Sequence, residues 1–217
     1  GMLVGHNTMR LMAMGLEDRA PTEAELAAMV TMLEEGLGAG AIGLSTGLFT
    51  APGSFAAPDE IRALAHVAAR HKASYFSHLR DESAHVMQAV DEAIDIAEQC
   101  GLHVQIVHFK CSGADAWGKA EEALRRMAEA RARGLQVDCD IYPYATGTNP
   151  LKNLLPRWVQ EGGVPAMIER LRSSQTREHI HQDLVRDGLN NWGRVENWDA
   201  VQILVSPRAP QIVGQTI

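Results

Sequence analysis

The stretch that decides the fold is "ASYFSHLRDESAHVMQAVDEAIDIAEQCGLHVQIVHFK", residues 73–110. It opens with a short apolar run, 73–78, that ends in His78. A helical pattern follows, with Val86, Ala89, Val90, Ala93, Ile94 and Ala97 at i, i+3, i+4, i+7, i+8 and i+11. That spacing places all six on one helix face. After it, "HVQIVHF" (103–109) reads as a further strand. Strand, helix and strand in this order make a βαβ unit with parallel strands.

The same rhythm extends in both directions. Upstream, Thr22 and Glu25 form a capping box. Leu26, Met29, Val30 and Leu33 follow at helical spacing up to Gly36. "AIGLST" (41–46) reads as a strand, and Pro58 and Asp59 open a helix with Ile61, Leu64, Ala65 and Ala68 on one face. Downstream, Ala120, Leu124, Met127 and Ala128 predict a helix ended by Gly134, and "LQVDCDI" (135–141) a strand. The fold class is α/β, and both a doubly wound sheet and a (β/α) barrel fit. Residues 150–192 are predicted mostly helical and polar, and "VQILVS" (201–206) is predicted as one more strand. Residues 2–149 therefore read as the βα part, and 150–217 as its mostly helical continuation.

Composition removes some functions. The 217 residues are 46% hydrophobic, enough for a sizeable core, and the net charge is −7. An acidic chain lacks the basic field that holds phosphates, so no nucleic-acid partner is expected. No apolar run reaches the roughly 20 residues of a membrane span, and no leader peptide is expected. Cys100, Cys111 and Cys139 form no CxxC pair and read as reduced thiols, which implies a cytoplasmic protein.

In α/β folds functional groups gather at the carboxyl ends of strands. Here those ends carry "STGLFTAPG", then His78 and Arg80, then His108 and Lys110, then "DIYPY" with Asp140, Tyr142 and Tyr144. A single histidine at such a place is most often hydrogen-bonded in a core or cleft. Two at matched positions on consecutive strands, each followed two residues later by a cation, point to a pair of zinc ligands. His6, His66, His71, His85 and His103 are expected to be solvated. "GAGAIG" (38–43) matches GxGxxG, but it follows a helix and leads into a strand, the reverse of a dinucleotide loop. "HIH" (179–181) is expected on a helix, where i and i+2 do not face each other.

These residues carry a resemblance. "LVGHNTMR", "GAIGLSTGLF", "SHLRDE", "VHFK", "WGKAEEALRRMAEARARG", "DIYPY" and "LLPRWVQEGG", in that order, resemble the N-acyl-D-amino-acid deacylases (D-aminoacylases) of the amidohydrolase superfamily. The likeness runs from about residue 3 to 165. It implies part of a metal-dependent (β/α)8 barrel, about its third to seventh strands, that hydrolyses the amide of a small N-acyl-D-amino acid with zinc. It implies His78 and His108 as metal ligands on the fifth and sixth barrel strands, and Lys110 and Tyr142 as substrate-binding residues. Arg80, Asp81 and Glu82 match a cluster whose role stays open. The family's His-x-His pair, metal-binding cysteine and catalytic aspartate have no counterpart, and Cys111 is not that cysteine. Thr50 stands where the family tends to have tyrosine. The chain thus reads as the middle of a deacylase with an incomplete metal site and little activity as given. A non-catalytic ligand- or partner-binding module is the alternative, and a cyclic amidase resembling dihydroorotase is a further one, which "DIYPY" disfavours. Bare strand edges and an apolar, uncovered sheet face predict a homo-oligomer.

Overall fold

The structure, a computed structural model, describes residues 1–195 and 198–216. Strand β1 (Leu3–Gly5) runs directly into helix α1 (His6–Met14). Then follow α2 (Glu23–Gly38), β2 (Gly43–Gly47), α3 (Pro58–Arg70), β3 (Ser74–His78) and α4 (Val86–Cys100). Next come β4 (Val104–Ile106), α5 (Ala120–Ala132) and β5 (Val137–Cys139). The C-terminal part holds α6 (Arg157–Gln160), α7 (Gly163–Arg172) and α8 (Ser174–Asp187).

All five strands are parallel and lie in sequence order, β1-β2-β3-β4-β5. This is an α/β fold of the kind that makes up part of a (β/α)8 barrel. Register explains the two faces. Leu44, Tyr75, Val104 and Val137 lie side by side, all buried, and pack with Ile61, Leu64, Val90 and Met127 of the helices in one core. The alternate residues Ser45, Phe76, Gln105 and Asp138 share the other face.

That second face is where one expectation fails. It is not apolar: His103 bonds Ser74 Oγ at 3.2 Å and Asp138 at 3.1 Å, and Gln105 donates to Asp140 at 2.9 Å. Side chains that satisfy one another across strands replace the expected hydrocarbon surface, with Phe76 its main apolar member.

Several boundaries move. The capping box at Thr22 and Glu25 is present, but α2 continues past Gly36 to Gly38. The edge strand before α1 is Leu3–Gly5, an element the residue spacing does not announce. On α5 the buried residues are Ala123, Met127 and Ala130, whereas Leu124 and Ala128 face solvent. "VQILVS" forms no strand; only an isolated bridge joins Gln202 to Thr216.

Residue His6 is also not solvated. It is fully buried and bonds Glu60 Oε1 through Nε2 at 2.7 Å, while Arg10 holds Glu60 Oε2 at 2.5 Å. Burial alone pushes Glu60 up; His6 and Arg10 outweigh it and hold the carboxyl below its ordinary range. The α1 turn after β1 thus pins itself to α3 through charge. By contrast His66, His71 and His85 are exposed.

Candidate functional site

Strand β3 delivers His78 to the carboxyl rim of the sheet, next to β4. The ladder pairs Ser77 with Ile106, so Val107 is level with His78 and His108 lies one residue further on. Strand parity alone would turn His108 toward the helices. Its backbone instead adopts φ 44, a left-handed conformation that costs a non-glycine residue about 1–3 kcal/mol. Asp140 at the end of β5 supports this turn by accepting the His108 N–H at 2.6 Å. The result is that His78 Nδ1 and His108 Nε2 meet at 2.5 Å, with the rings edge to face.

Both rings are partly exposed. Burial, and then the nearby His108 and Lys110, hold the His78 imidazole below its ordinary range. A neutral imidazole is the form that binds metal. Two nitrogens on one tetrahedral zinc lie about 3.3 Å apart, given Zn–N bonds of about 2.05 Å. The pair must therefore open slightly to admit an ion. Donor chemistry and direction suit zinc, but the number does not complete a site: among the described residues no group of three His, Cys, Asp or Glu side chains could hold a metal.

Lys110 lies beside the pair, with Nζ 3.0 Å from His108 Nδ1 and 5.8 Å from the centre of the Tyr142 ring. The Tyr142 ring is 6.4 Å from that of His108. Its phenol is pushed up by burial and by Glu82. His78, His108, Lys110 and Tyr142 are thus brought to one rim. Cys111 is partly buried on the same loop, and its thiol is pushed up by burial. Thr50 accepts from Asn7 Nδ2 at 3.1 Å. "GAGAIG" leads from helix to strand, and His179 and His181 lie on α8 with exposed side chains.

The cluster after His78 resolves into three tasks. Arg80 forms a two-point pair with Glu92 of α4, at 2.9 and 2.8 Å. Asp81 accepts the backbone N–H groups of Ser83 and His85, closing the turn into α4. Glu82 points into the site, where its buried carboxylate pairs with Lys110 at 2.6 Å and stands 3.1 Å from His108 Nδ1. Burial opposes its charge, but His108 and Lys110 outweigh that and hold Glu82 below the usual carboxylate range.

One site residue has no signal in the local sequence. Asn191 follows α8 and returns to the rim, where Nδ2 donates to Glu82 Oε2 at 2.8 Å and Oδ1 accepts the Glu82 N–H at 2.7 Å. Asn190 beside it donates to the carbonyls of Phe49 and Asn153, both at 2.9 Å. Trp192 lies over Gly113, where a Cβ would collide with the Trp192 carbonyl. Asparagine tolerates the left-handed φ of 63 found at Asn191.

No family model matches the chain. It is 42% identical to an N-acyl-D-glutamate deacylase of Alcaligenes xylosoxydans xylosoxydans over 142 residues, 65% of this chain and 29% of that protein. It is 37% identical to a D-aminoacylase of the same organism over 150 residues, 69% of this chain and 31% of the relative. Among solved structures, it matches the N-acyl-D-glutamate deacylase from Bordetella bronchiseptica, complexed with zinc and a phosphonate inhibitor. That match has a TM-score of 0.63 at 42% identity and covers 65% of this chain and 30% of the other. A D-aminoacylase structure, described as defining a novel subset of amidohydrolases, gives a TM-score of 0.64 at 35% identity, covering 67% and 30%. Over about two thirds of its length, in sequence and in fold, the chain resembles the N-acyl-D-amino-acid deacylases of the amidohydrolase superfamily, and it spans about 30% of the relatives it matches.

Proposed function

We propose that this rim is the metal-facing and substrate-facing part of an N-acyl-D-amino-acid deacylase. The observation that carries the reading is the convergence of His78 Nδ1 and His108 Nε2 from adjacent strands, with Lys110 and Tyr142 beside them. His78 and His108 would hold zinc, which supplies Lewis-acid polarisation of an amide carbonyl when bound. Lys110 would pair with the substrate carboxylate, and the Tyr142 phenol would donate to the acyl oxygen. Lys110 already pairs with Glu82, so it is held in place before a substrate arrives.

Titration of N-acetyl-D-glutamate into the zinc-supplemented chain tests this. Binding that weakens about 10–100-fold in Lys110→Met supports the reading, the size of a lost charge-assisted hydrogen bond. No binding, or binding indifferent to Lys110, overturns it. A two-ligand set predicts weak zinc binding and no hydrolysis above a no-enzyme blank. Turnover abolished by His108→Ala would show that the described residues miss part of the working site.

The open sheet supports a homo-oligomer. Strands β1 and β5 end the ladder, and exposed Met2, Leu3 and Ile42 flank the first edge while Ile141 follows the second. Sedimentation equilibrium at micromolar concentration should give a multiple of 23.7 kDa; a clean monomer contradicts it. No helix among the described residues is long and apolar enough to cross a membrane. The three cysteines sit on separate elements, which suits the reducing cytoplasm.

A further inference from the structure

Residue Glu82 is gripped from several sides. Its side chain is 1% exposed. Oε2 accepts from Lys110 Nζ at 2.6 Å and from Asn191 Nδ2 at 2.8 Å, and Asn191 also holds the Glu82 backbone N–H. Oε1 is buried and makes no hydrogen bond of good geometry. The nitrogen beside it is His108 Nδ1, at 3.1 Å. A buried carboxylate oxygen without a donor is costly, because burial has removed its water.

Two neighbours compete for His108 Nδ1. If Lys110, 3.0 Å away, donates to it, then Nδ1 is a lone pair and the ring proton sits on Nε2. If Glu82 Oε1 is to be satisfied, Nδ1 carries the proton and Nε2 is the lone pair. The ammonium has two other acceptors, Glu82 Oε2 and the His108 carbonyl at 3.2 Å. Glu82 Oε1 has no other donor. The carboxylate therefore decides the outcome.

We infer that Glu82, locked by Asn191, is a positioning residue that fixes His108 in the Nδ1–H tautomer and so aims the Nε2 lone pair at His78. In the metal-free chain His78 Nδ1–H then donates to His108 Nε2 across the 2.5 Å contact. The same lone pair is what a metal ion needs, and a carboxylate behind a ligand histidine is a known way to fix tautomer and basicity. That consequence rests on the ligand reading of His78 and His108. The proton assignment does not.

Substitution by glutamine makes a directional test. Lys110 and Asn191 both donate to the Oε2 position, so the amide oxygen of Glu82→Gln must take that place. Its NH2 group then faces His108 Nδ1 as a donor and drives the ring proton to Nε2. The experiment is two-bond 1H–15N correlation NMR on the full metal-free chain with 15N-histidine, at a pH where both rings are neutral. His108 is assigned by its loss in His108→Asn. Wild type is expected to show a protonated Nδ1 and an unprotonated Nε2 for His108, and Glu82→Gln the reverse. Zinc affinity, read by chelator competition, is expected to fall about 10–100-fold in Glu82→Gln. A wild-type His108 protonated on Nε2 overturns the inference whether or not the variant folds. An unchanged tautomer or an unchanged zinc affinity in a folded Glu82→Gln overturns it as well. A chain that shows the expected tautomers but binds no N-acetyl-D-glutamate fails as a deacylase and leaves the role of Glu82 standing.

Discussion

The βα part and the helical part after it are built on different principles. In the first, one core joins Leu44, Tyr75, Ile106 and Val137 with five helices, α1 to α5, and register dictates which residue faces which layer. In the second, a small cluster of Val159, Met167 and Ile180 holds α6, α7 and α8, and polar contacts do the remainder, such as Trp158 Nε1 donating to Asp183 at 2.8 Å. Yet the second part sends Asn190, Asn191 and Trp192 into the rim of the first. A weakly cored segment can therefore still govern a site, provided its few anchors are specific.

The largest loss of stability is expected from a buried charge in the βα part. Glu60→Ala leaves Arg10 buried without its carboxylate and is expected to cost about 3–5 kcal/mol in urea unfolding. Because the folded Glu60 carboxyl lies below its ordinary value, its stabilisation is complete above about pH 4.5. It should fade as pH falls further, through the folded-state value, and Glu60→Gln should flatten that acid limb.

Core truncation separates the two parts next. Leu44→Ala is expected to cost about 2–5 kcal/mol of global stability. Ile180→Ala, in the small cluster, should act locally: amide exchange in α8 quickens while exchange in β2–β4 barely changes. Equal quickening everywhere would mean that the two parts unfold as one unit.

A smaller effect links them. Asn191→Ala removes two hydrogen bonds to Glu82, one of them to a charged oxygen, and should cost about 1.5–3 kcal/mol. Asn191→Gly relieves the left-handed backbone but loses the same bonds, so it should recover only a fraction of that. The smallest effect belongs to exposed pairs. Arg125→Ala on α5, which loses contacts to Glu122 and Glu129, should shift stability by no more than about 0.5 kcal/mol.

The parts also differ in how readily sequence reveals them. The βαβ rhythm is written in residue spacing, so Val86–Ala97 and the strands around it are found without error in kind. The approach of His78 to His108 is foreseeable from their shared strand ends. Its means is not, because the left-handed turn at His108 follows no periodicity and depends on Asp140 of the next strand. Glu82 stands in plain sight in "SHLRDE", but its partner Asn191 lies 109 residues away, beyond the reach of any local pattern. His6 is a related case: a polar residue is expected in solvent, but Glu60, itself held by Arg10, satisfies it in the interior. "VQILVS" shows the converse, an apolar alternation with no neighbouring strand to pair with.

The proposed pairing of His78 and His108 as metal ligands is open to direct observation. The decisive measurement is anomalous scattering, at the zinc absorption edge, from crystals of the chain grown with zinc. A peak is expected between His78 Nδ1 and His108 Nε2, with the two nitrogens moved apart from 2.5 Å to about 3.3 Å. A metal bound elsewhere, with the two rings still in contact, would contradict it.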